Sequence, residues 1–427
     1  MVDSAALFTD QYELTMLSAA LRDGTSERPC VFEVFGRRLP NNRRYGVVAG
    51  TGRLIDLIRD FRFTDRDVDY LRRREVVDSA TADWLAGYRF TGDVEGYREG
   101  ELYFPGSPIL TVVAPFAVGV LLETMVLSVL NHDCAIASAA ARMVTAARGR
   151  PIIEMGSRRT HEEAAVAAAR AAYLAGFNST SNLAAGTRYG VPTAGTAAHA
   201  FTLLHDSEAE AFASQVATLG KSTTLLVDTY DISQGIRTAI EVAGPELGAI
   251  RIDSGDLGQM AVQARELLDS LGARDTRIVL SGDLDEYSIA ALAAAPVDAY
   301  GAGTAVVTGS GAPTAQLVYK LVEVDGRPVV KRSENKATLG GRKTAVRRHK
   351  PTGTATEEVV ASQGRPAAEV NDRSLQRAYL TAGEPAGDLP TLAESREHLA
   401  ACLVSIPWDG LKLSGGEPAI PVTMLGS

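Results

Sequence analysis

The sequence predicts an α/β protein: an irregular (β/α) barrel with a flanking α+β domain built from N-terminal and C-terminal segments. Three observations carry this. From Pro151 to about Thr308, short apolar stretches alternate with alanine-rich amphipathic ones, the pattern of parallel strands joined by right-handed helical crossovers. Some of the short stretches, "TTLLV" among them, are apolar without alternation, as strands covered on both faces are. The segments on either side of this rhythm read as strands and hairpins. An open doubly wound sheet is the other architecture that fits the alternation.

The elements follow in order. "RPCVFEVFGRRLP" reads as a strand, "GTGRLIDLIRDF" as a helix and "ELYFPGSPILTVVAPF" as strands with a turn. The most apolar run, "ILTVVAPFAVGVLL", contains Pro115 and stops before Glu123. It is shorter than the ~20 residues a membrane span needs and reads as a buried strand entering a helix. The rhythmic segment then gives about seven units. "PIIEMGSRR" leads into "THEEAAVAAARAAYLAG"; "FNSTSN", "VPTAGT" and "STTLLVDTYD" follow, the last before "ISQGIRTAIEVAG". "AIRIDSGD" leads into "LGQMAVQARELLDSLGA", "TRIVLSGD" into "LDEYSIAALAAA", and "VDAYGAGTAVVT" closes the series. Beyond it, "QLVYKLVEVDGRPVVKRS" is a hairpin turning at Asp325-Gly326, a dipeptide suited to positive φ at both turn positions. A basic strand and a tail of strands plus one amphipathic helix complete the chain. The expected domains are residues 1–135 (N-terminal α+β), 136–320 (barrel) and 321–427 (C-terminal strands and helix completing the first).

Composition narrows the function classes. The 427 residues carry 43 basic and 52 acidic side chains, a net charge of −9. No basic stripe asks for nucleic acid, so an anionic ligand has to be met by local arginines and lysines. Cys30, Cys134 and Cys402 are odd in number and far apart, which fits reduced thiols in a cytoplasmic protein. The start "MVDSAALFTDQYELTML" lacks the basic n-region of a signal peptide. Neither a membrane nor a nucleic acid is expected as a partner.

Barrel chemistry sits at the C-terminal ends of the strands. Polar residues gather at those ends here: Glu154, Arg158, Ser181, Thr196, Asp228, Arg251, Asp253, Asp283 and Thr304. Each Ser, Thr or Asp alone is equally a helix cap, but caps do not call for arginine. Arg158 and Arg159 follow a strand at a helix start, where free N–H groups favour anions. "GAGTAVVTG" offers small residues whose backbone can approach a phosphate closely; the alternative is a close-packed turn. Lys320, Lys331, Lys336 and Lys343 add charge, or simply solvate a hairpin edge. Arg251 and Asp253 lie two apart on one side of a strand. Such an Asp suits sugar hydroxyls and such an Arg a ligand's acid group; a structural ion pair is the other reading. His199 follows glycine, threonine and alanine. A neutral imidazole with room around it can attack a phosphoryl group, with Asp228 to fix its tautomer; a backbone-bonded histidine at a helix start is the alternative. No His/Cys/carboxylate set in the sequence has metal-ligand spacing.

The strings "FTDQYELTM", "FEVFGRRLPNNRRYGVVAG", "ETMVLSVLNHDCAIASAAAR", "EMGSRRTHEEAA", "GFNSTSNLAAG", "GTAAHAF", "DTYD", "RIDSGDL", "SGDLDE", "GAGTAVVT" and "VYKLVEVDGRPVVKRSENKATLGGRK", in this order, resemble the nicotinate phosphoribosyltransferase family over about residues 5–345. The resemblance implies an ATP-coupled, ligase-class transfer in NAD salvage. Phosphoribosyl passes from 5-phosphoribosyl 1-pyrophosphate to nicotinate, assisted by Mg²⁺, in a homodimer with active sites at its interface. It implies that His199 is phosphorylated by ATP, with Asp228 at the histidine and Asp253 at the ribose. It implies nicotinate contacts from Thr196, Arg251, Ser181 and Tyr12, the last reaching from a partner subunit. Arg158, Gly282, Asp283, Gly303, Thr304 and Lys320 are implied at the phosphates of the sugar pyrophosphate. Two positions depart from related enzymes that use nicotinamide: Met155 stands where they have Phe, and Ser181 where they have Asp. An Asp would repel a carboxylate, whereas serine can donate to one, so nicotinate is the expected base. Ala200 replaces the serine common after the family histidine. The remaining alternatives are nicotinamide or quinolinate as the base, or a non-catalytic scaffold of the same fold.

Overall fold

The computed structural model describes residues 4–331, 339–362 and 364–426; Lys336 lies outside them. The chain divides into two compact units, Met1–Ala135 with Thr314–Ser427, and Ile136–Pro313.

The first unit is built from both chain ends. Its larger sheet is antiparallel throughout, in the order Arg327–Pro328, Leu317–Val324, Pro29–Gly36, Leu110–Pro115, Asp93–Tyr97, Gln376–Thr381, Glu384–Pro385. Pro29–Gly36 is buried on both faces after its first residue; its one charged side chain, Glu33, is buried against Lys343 Nζ at 2.6 Å. Asp325 and Gly326 both take positive φ, 51° and 71°, the turn expected from that dipeptide. Lys320 belongs to Leu317–Val324 and so lies in this sheet, not in the parallel one. The apolar run resolves into the strand Leu110–Pro115 and the helix Phe116–Val120, followed by the helix Glu123–Ala147. Together the two helices are long and apolar enough to cross a membrane, yet 67% of their most apolar window is buried within the fold, the burial of a core helix.

A smaller sheet orders Arg373–Ser374, Lys343–His349, Ala355–Ser362 and Val422–Leu425. Beneath it Arg347, fully buried, pairs with Glu101 and Glu358. Arg373 and His398 also donate to Glu101, and Cys402 lies 3.4 Å from it. Burial alone would push the Glu101 carboxyl up; the arginines and His398 reverse this and hold it well below the usual range. Glu101, His398 and Cys402 are close enough to suggest a metal site. Both Glu101 oxygens already take several donors, so the trio is a hydrogen-bonded knot and not a set of free lone pairs.

The second unit contains six parallel strands among the described residues, ordered Ser179–Thr180, Ile152–Glu154, Ala299–Ala302, Arg277–Leu280, Ala249–Ile252, Thr224–Leu226. Helices such as Glu162–Leu174, Ile232–Ala243 and Leu257–Ser270 connect them. The seventh expected strand, "VPTAGT", contributes one isolated bridge, Thr180 to Thr193. With Pro192 lacking an N–H and small residues around it, the segment has little to hold a ladder. The sheet therefore stays open between Ser179–Thr180 and Thr224–Leu226, a half-barrel.

Candidate functional site

The polar residues at the strand ends divide into two groups. Asn182, Asp231, Asp256 and Asp285 accept from backbone N–H groups at helix starts: these are caps, each worth about 1 kcal/mol. Asp228, Asp253 and Asp283 cap nothing, and with Arg251 and His199 they form a different system.

Arg251, on the strand Ala249–Ile252, is its hub. Nε donates to Ser281 Oγ at 2.8 Å, Nη1 to Thr196 Oγ1 at 2.9 Å and Nη2 to Asp253 Oδ1 at 3.0 Å. Its side chain is 11% exposed, so the planar fork is fixed from three sides. The Ser281 hydroxyl in turn donates a hydrogen bond to Asp253 Oδ1. Burial pushes the Asp253 carboxyl up, but the bonds from Ser281 and Arg251 outweigh it and leave the group below its usual range. Asp253 is therefore ionised at neutral pH.

Asp228 follows the strand Thr224–Leu226, and its side chain is 1% exposed. Oδ2 accepts from the Asp253 N–H at 2.9 Å and the Ser254 hydroxyl at 2.7 Å. Oδ1 has no hydrogen-bond partner and lies 3.8 Å from His199 Nε2. His199 Nδ1 is 3.2 Å from Thr229 Oγ1. The ring is 41% exposed at the start of the helix His199–Leu203. The imidazole thus meets a buried carboxylate on one side and a hydroxyl on another, and the alternative of a backbone-bonded histidine does not hold.

Beside this cluster lies a pocket lined by Arg158, Arg159, Arg251, Asp253, Ser281 and the loop residues Met155, Gly282, Asp283, Gly301, Gly303 and Thr304. Its glycines are there for space. At Gly282 φ is +110° and a Cβ would come within 2.5 Å of the Asp253 carbonyl oxygen. At Gly301 a Cβ would meet the Met155 sulfur at 2.8 Å. Thr304 donates to Asp283 Oδ1 at 3.3 Å, which fixes that carboxylate at the rim. Arg158 and Arg159 are both exposed and, with Arg251, supply the pocket's positive charge.

The structure thus brings together Arg158, Arg251, Asp253, Gly282, Asp283, Gly303 and Thr304 in one pocket, and links Thr196, Asp228 and His199 to it by hydrogen bonds and charge. Ser181 is exposed beyond the strand Ser179–Thr180, its N–H bonded to the Glu154 carbonyl at 2.8 Å. Tyr12 and Lys320 lie in the other unit. Burial, and then Glu123, push the Tyr12 phenol up to about 12; Lys320 is exposed, and its charge only partly offsets the rise that burial imposes on the Glu123 carboxyl. Ser281, Ser254 and Thr229 join this cluster by hydrogen bonds to Arg251, Asp228 and His199, although the sequence pattern does not single them out. Each stands beside a residue that was singled out, in "LSGD", "RIDSGD" and "DTYD", and a hydroxyl next to a strand-end carboxylate is the signal that was available.

Residues 7–131 match the nicotinate phosphoribosyltransferase N-terminal domain, and residues 136–311 the quinolinate phosphoribosyl transferase C-terminal domain. The chain is 63% identical to nicotinate phosphoribosyltransferase pncB1 of Mycobacterium tuberculosis, over 98% of this chain and 95% of that protein. It is 40% identical to the nicotinate phosphoribosyltransferase of Bacillus subtilis, over 81% of this chain and 73% of the relative. Among solved structures, human nicotinic acid phosphoribosyltransferase superposes with a TM-score of 0.82 at 27% identity, covering 98% of this chain and 97% of that one. The chain belongs to the nicotinate phosphoribosyltransferase family of NAD salvage.

Proposed function

We propose that the protein transfers phosphoribosyl from 5-phosphoribosyl 1-pyrophosphate to nicotinate, coupled to ATP through a phosphohistidine at His199. The observation that carries this reading is the junction of two systems at one strand-end face: an arginine locked by three acceptors, and an imidazole facing a buried carboxylate with one lone oxygen. Arg251, with Thr196 and Ser181, suits the carboxylate of nicotinate. Asp253, held ionised, suits two ribose hydroxyls. Arg158, the backbone of Gly282 and Gly303, and Thr304 suit phosphate oxygens, and Asp283 keeps Thr304 in place. Tyr12 and Lys320 are assigned to the ring and the phosphates by family likeness alone.

The chemistry follows from these placements. In the transfer the pyridine nitrogen forms a bond to the anomeric carbon as the bond to pyrophosphate breaks. Negative charge grows on the departing pyrophosphate, where Arg158 and Arg159 stabilise it. The Asp253 and Asp283 carboxylates in the same pocket would be the residues to hold Mg²⁺, a cation that takes oxygen ligands. Bound there, the ion would supply further charge neutralisation. In the ATP step a nitrogen of neutral His199 attacks the γ-phosphorus, and the bond to the ADP oxygen breaks. The opposite ring N–H becomes acidic as this happens, and Asp228 holds it. Hydrolysis of the phosphoimidazole returns the free ring and phosphate.

Two further assignments complete the reading. Leu183, Leu203, Leu204 and Tyr230 flank the site loops in sequence and are more than 60% exposed, which supports a second copy of the chain covering them. The three cysteines are free and buried, which suits a reducing cytoplasm.

The test is to incubate the purified protein with γ-labelled ATP and to compare turnover of nicotinate, nicotinamide and quinolinate. An acid-labile, base-stable label that is lost in His199→Asn, with nicotinate the preferred base, is the expected result. A label that persists in the variant refutes the phosphohistidine. Preference for another base refutes the substrate.

A further inference from the structure

Glu154 ends the strand Ile152–Glu154 and is 1% exposed. Among the described residues no cation pairs with it. Its Oε1 accepts the Gly156 N–H, and its Oε2 accepts the Thr180 hydroxyl at 2.5 Å. Burial pushes its carboxyl up, partly offset by these two bonds. A buried carboxylate without a counter-charge is costly, so its persistence here calls for a reason.

The hydrogen bonds beyond Glu154 supply one. Thr180 Oγ1 accepts from the Asn182 N–H at 3.0 Å, and Asn182 Nδ2 donates to Ser157 Oγ at 3.0 Å. The bonds close a ring: Glu154, Gly156 and Ser157 on one loop, Thr180 and Asn182 on the next. The first loop carries Arg158 and Arg159 into the phosphate pocket. The second carries Ser181. Space enforces the arrangement, because a Cβ on Gly156 would strike Val307 at 2.2 Å and Glu154 Oε1 at 2.9 Å. Glu154 and Thr180 are buried and spend their side-chain oxygens on these bonds, so neither is placed to touch substrate.

We propose that Glu154 is a positioning residue that ties the Arg158–Arg159 loop to the Ser181 loop, so that the phosphate end and the base end of the substrates are gripped as one unit. A carboxylate is required because it accepts at both oxygens. An amide would present a donor to either Gly156 N–H or the Thr180 hydroxyl. The inference rests on the substrate assignment above, and its test is chosen to separate the two.

Two variants open the ring while sparing the fold. Thr180→Val keeps the shape of a fully buried side chain and removes the hydroxyl. Asn182→Ser keeps a good N-cap for the helix Leu183–Tyr189 and removes the donor to Ser157. Thr180→Ser restores the hydroxyl. Calorimetric titration with inorganic pyrophosphate, and with nicotinate, reads the two ends independently, with thermal melting as the control for folding. In both open-ring variants the two affinities fall together by roughly tenfold, about the worth of one hydrogen bond to a charged group, while Thr180→Ser stays within about threefold of wild type, well inside that range. The proposal is overturned if folded Asn182→Ser binds both ligands like wild type, if only one affinity moves, or if Thr180→Ser is as weak as Thr180→Val. Should Thr180→Val fail to fold, Asn182→Ser decides. A wild-type protein that binds pyrophosphate but converts no nicotinate sinks the substrate assignment and leaves this comparison intact.

Discussion

Replacing Arg251 with lysine probes the hub of the site while keeping its charge. The guanidinium spends three separate N–H groups on Ser281, Thr196 and Asp253, at 2.8, 2.9 and 3.0 Å. A single ammonium on a flexible stem cannot reach all three acceptors in that planar spread. If it keeps the Asp253 contact, Ser281 and Thr196 each lose a charged donor, and the ligand carboxylate loses its flat, bidentate partner. Hydrogen bonds to charged groups are worth about 1.5–3 kcal/mol each. Thr196 is partly solvated and recovers some of this from water, so a net loss of about 2–4 kcal/mol is expected. That is roughly 30- to 1000-fold in kcat/KM for nicotinate. Steady-state kinetics measures it, with thermal melting to show that Arg251→Lys is folded. A folded variant within about threefold of wild type, a shift under 1 kcal/mol, would falsify the claim that the fork geometry, and not the charge alone, selects the base.

Two other outcomes follow from the same geometry. Gly282→Ala places a Cβ 2.5 Å from a backbone carbonyl at φ +110°, a combination that costs about 1–3 kcal/mol. Its melting temperature is expected to drop by several degrees, and an unchanged melt means the loop is freer than the hydrogen bonds around it imply. Asp253 and Glu154 are displaced in opposite directions, so their acid limbs separate. Asp253, lowered, contributes stability that is present above its unfolded pKa and is lost only as pH falls through the native value, below the usual carboxylate range. Glu154, raised, is protonated first on acidification, which opens the ring. The affinity for inorganic pyrophosphate is therefore expected to decline with falling pH before Asp253 titrates, and Asp253→Asn should leave that first limb in place. A first limb that vanishes in Asp253→Asn would belong to Asp253 and refute its attribution to Glu154.

Much of the site was legible because parallel strands punctuate themselves. Each apolar stretch stops where the chain leaves the sheet, so "DTYD", "RIDSGD" and "LSGD" mark one face in the sequence itself. What could not be read was which carboxylates cap helices and which join the cluster around Arg251 and His199. Asp231, Asp256 and Asp285 are identical in type to Asp228, Asp253 and Asp283 and lie two or three residues further on, and only the backbone path separates their uses. "VPTAGT" sits where the rhythm wants a seventh strand, yet it lacks the β-branched apolar run that sustains a ladder and makes only an isolated bridge. The knot around Glu101 was invisible for another reason: Arg347 and His398 lie 246 and 297 residues away in sequence, and no local pattern announces a pairing over such distances.

That knot bears on how the protein is made. The half-barrel unit is continuous, and all of its described strands have been synthesised by residue 302. The other unit has its first strands synthesised early, yet Glu101 waits for Arg347, Arg373 and His398 to emerge. At translation speeds of about 5–20 residues per second, a buried carboxylate and an incomplete sheet edge stay unsheltered for many seconds. The nascent chain is then most exposed to aggregation in its earliest segment, and a chaperone that shields the first hundred residues would serve it better than one acting on the finished polypeptide.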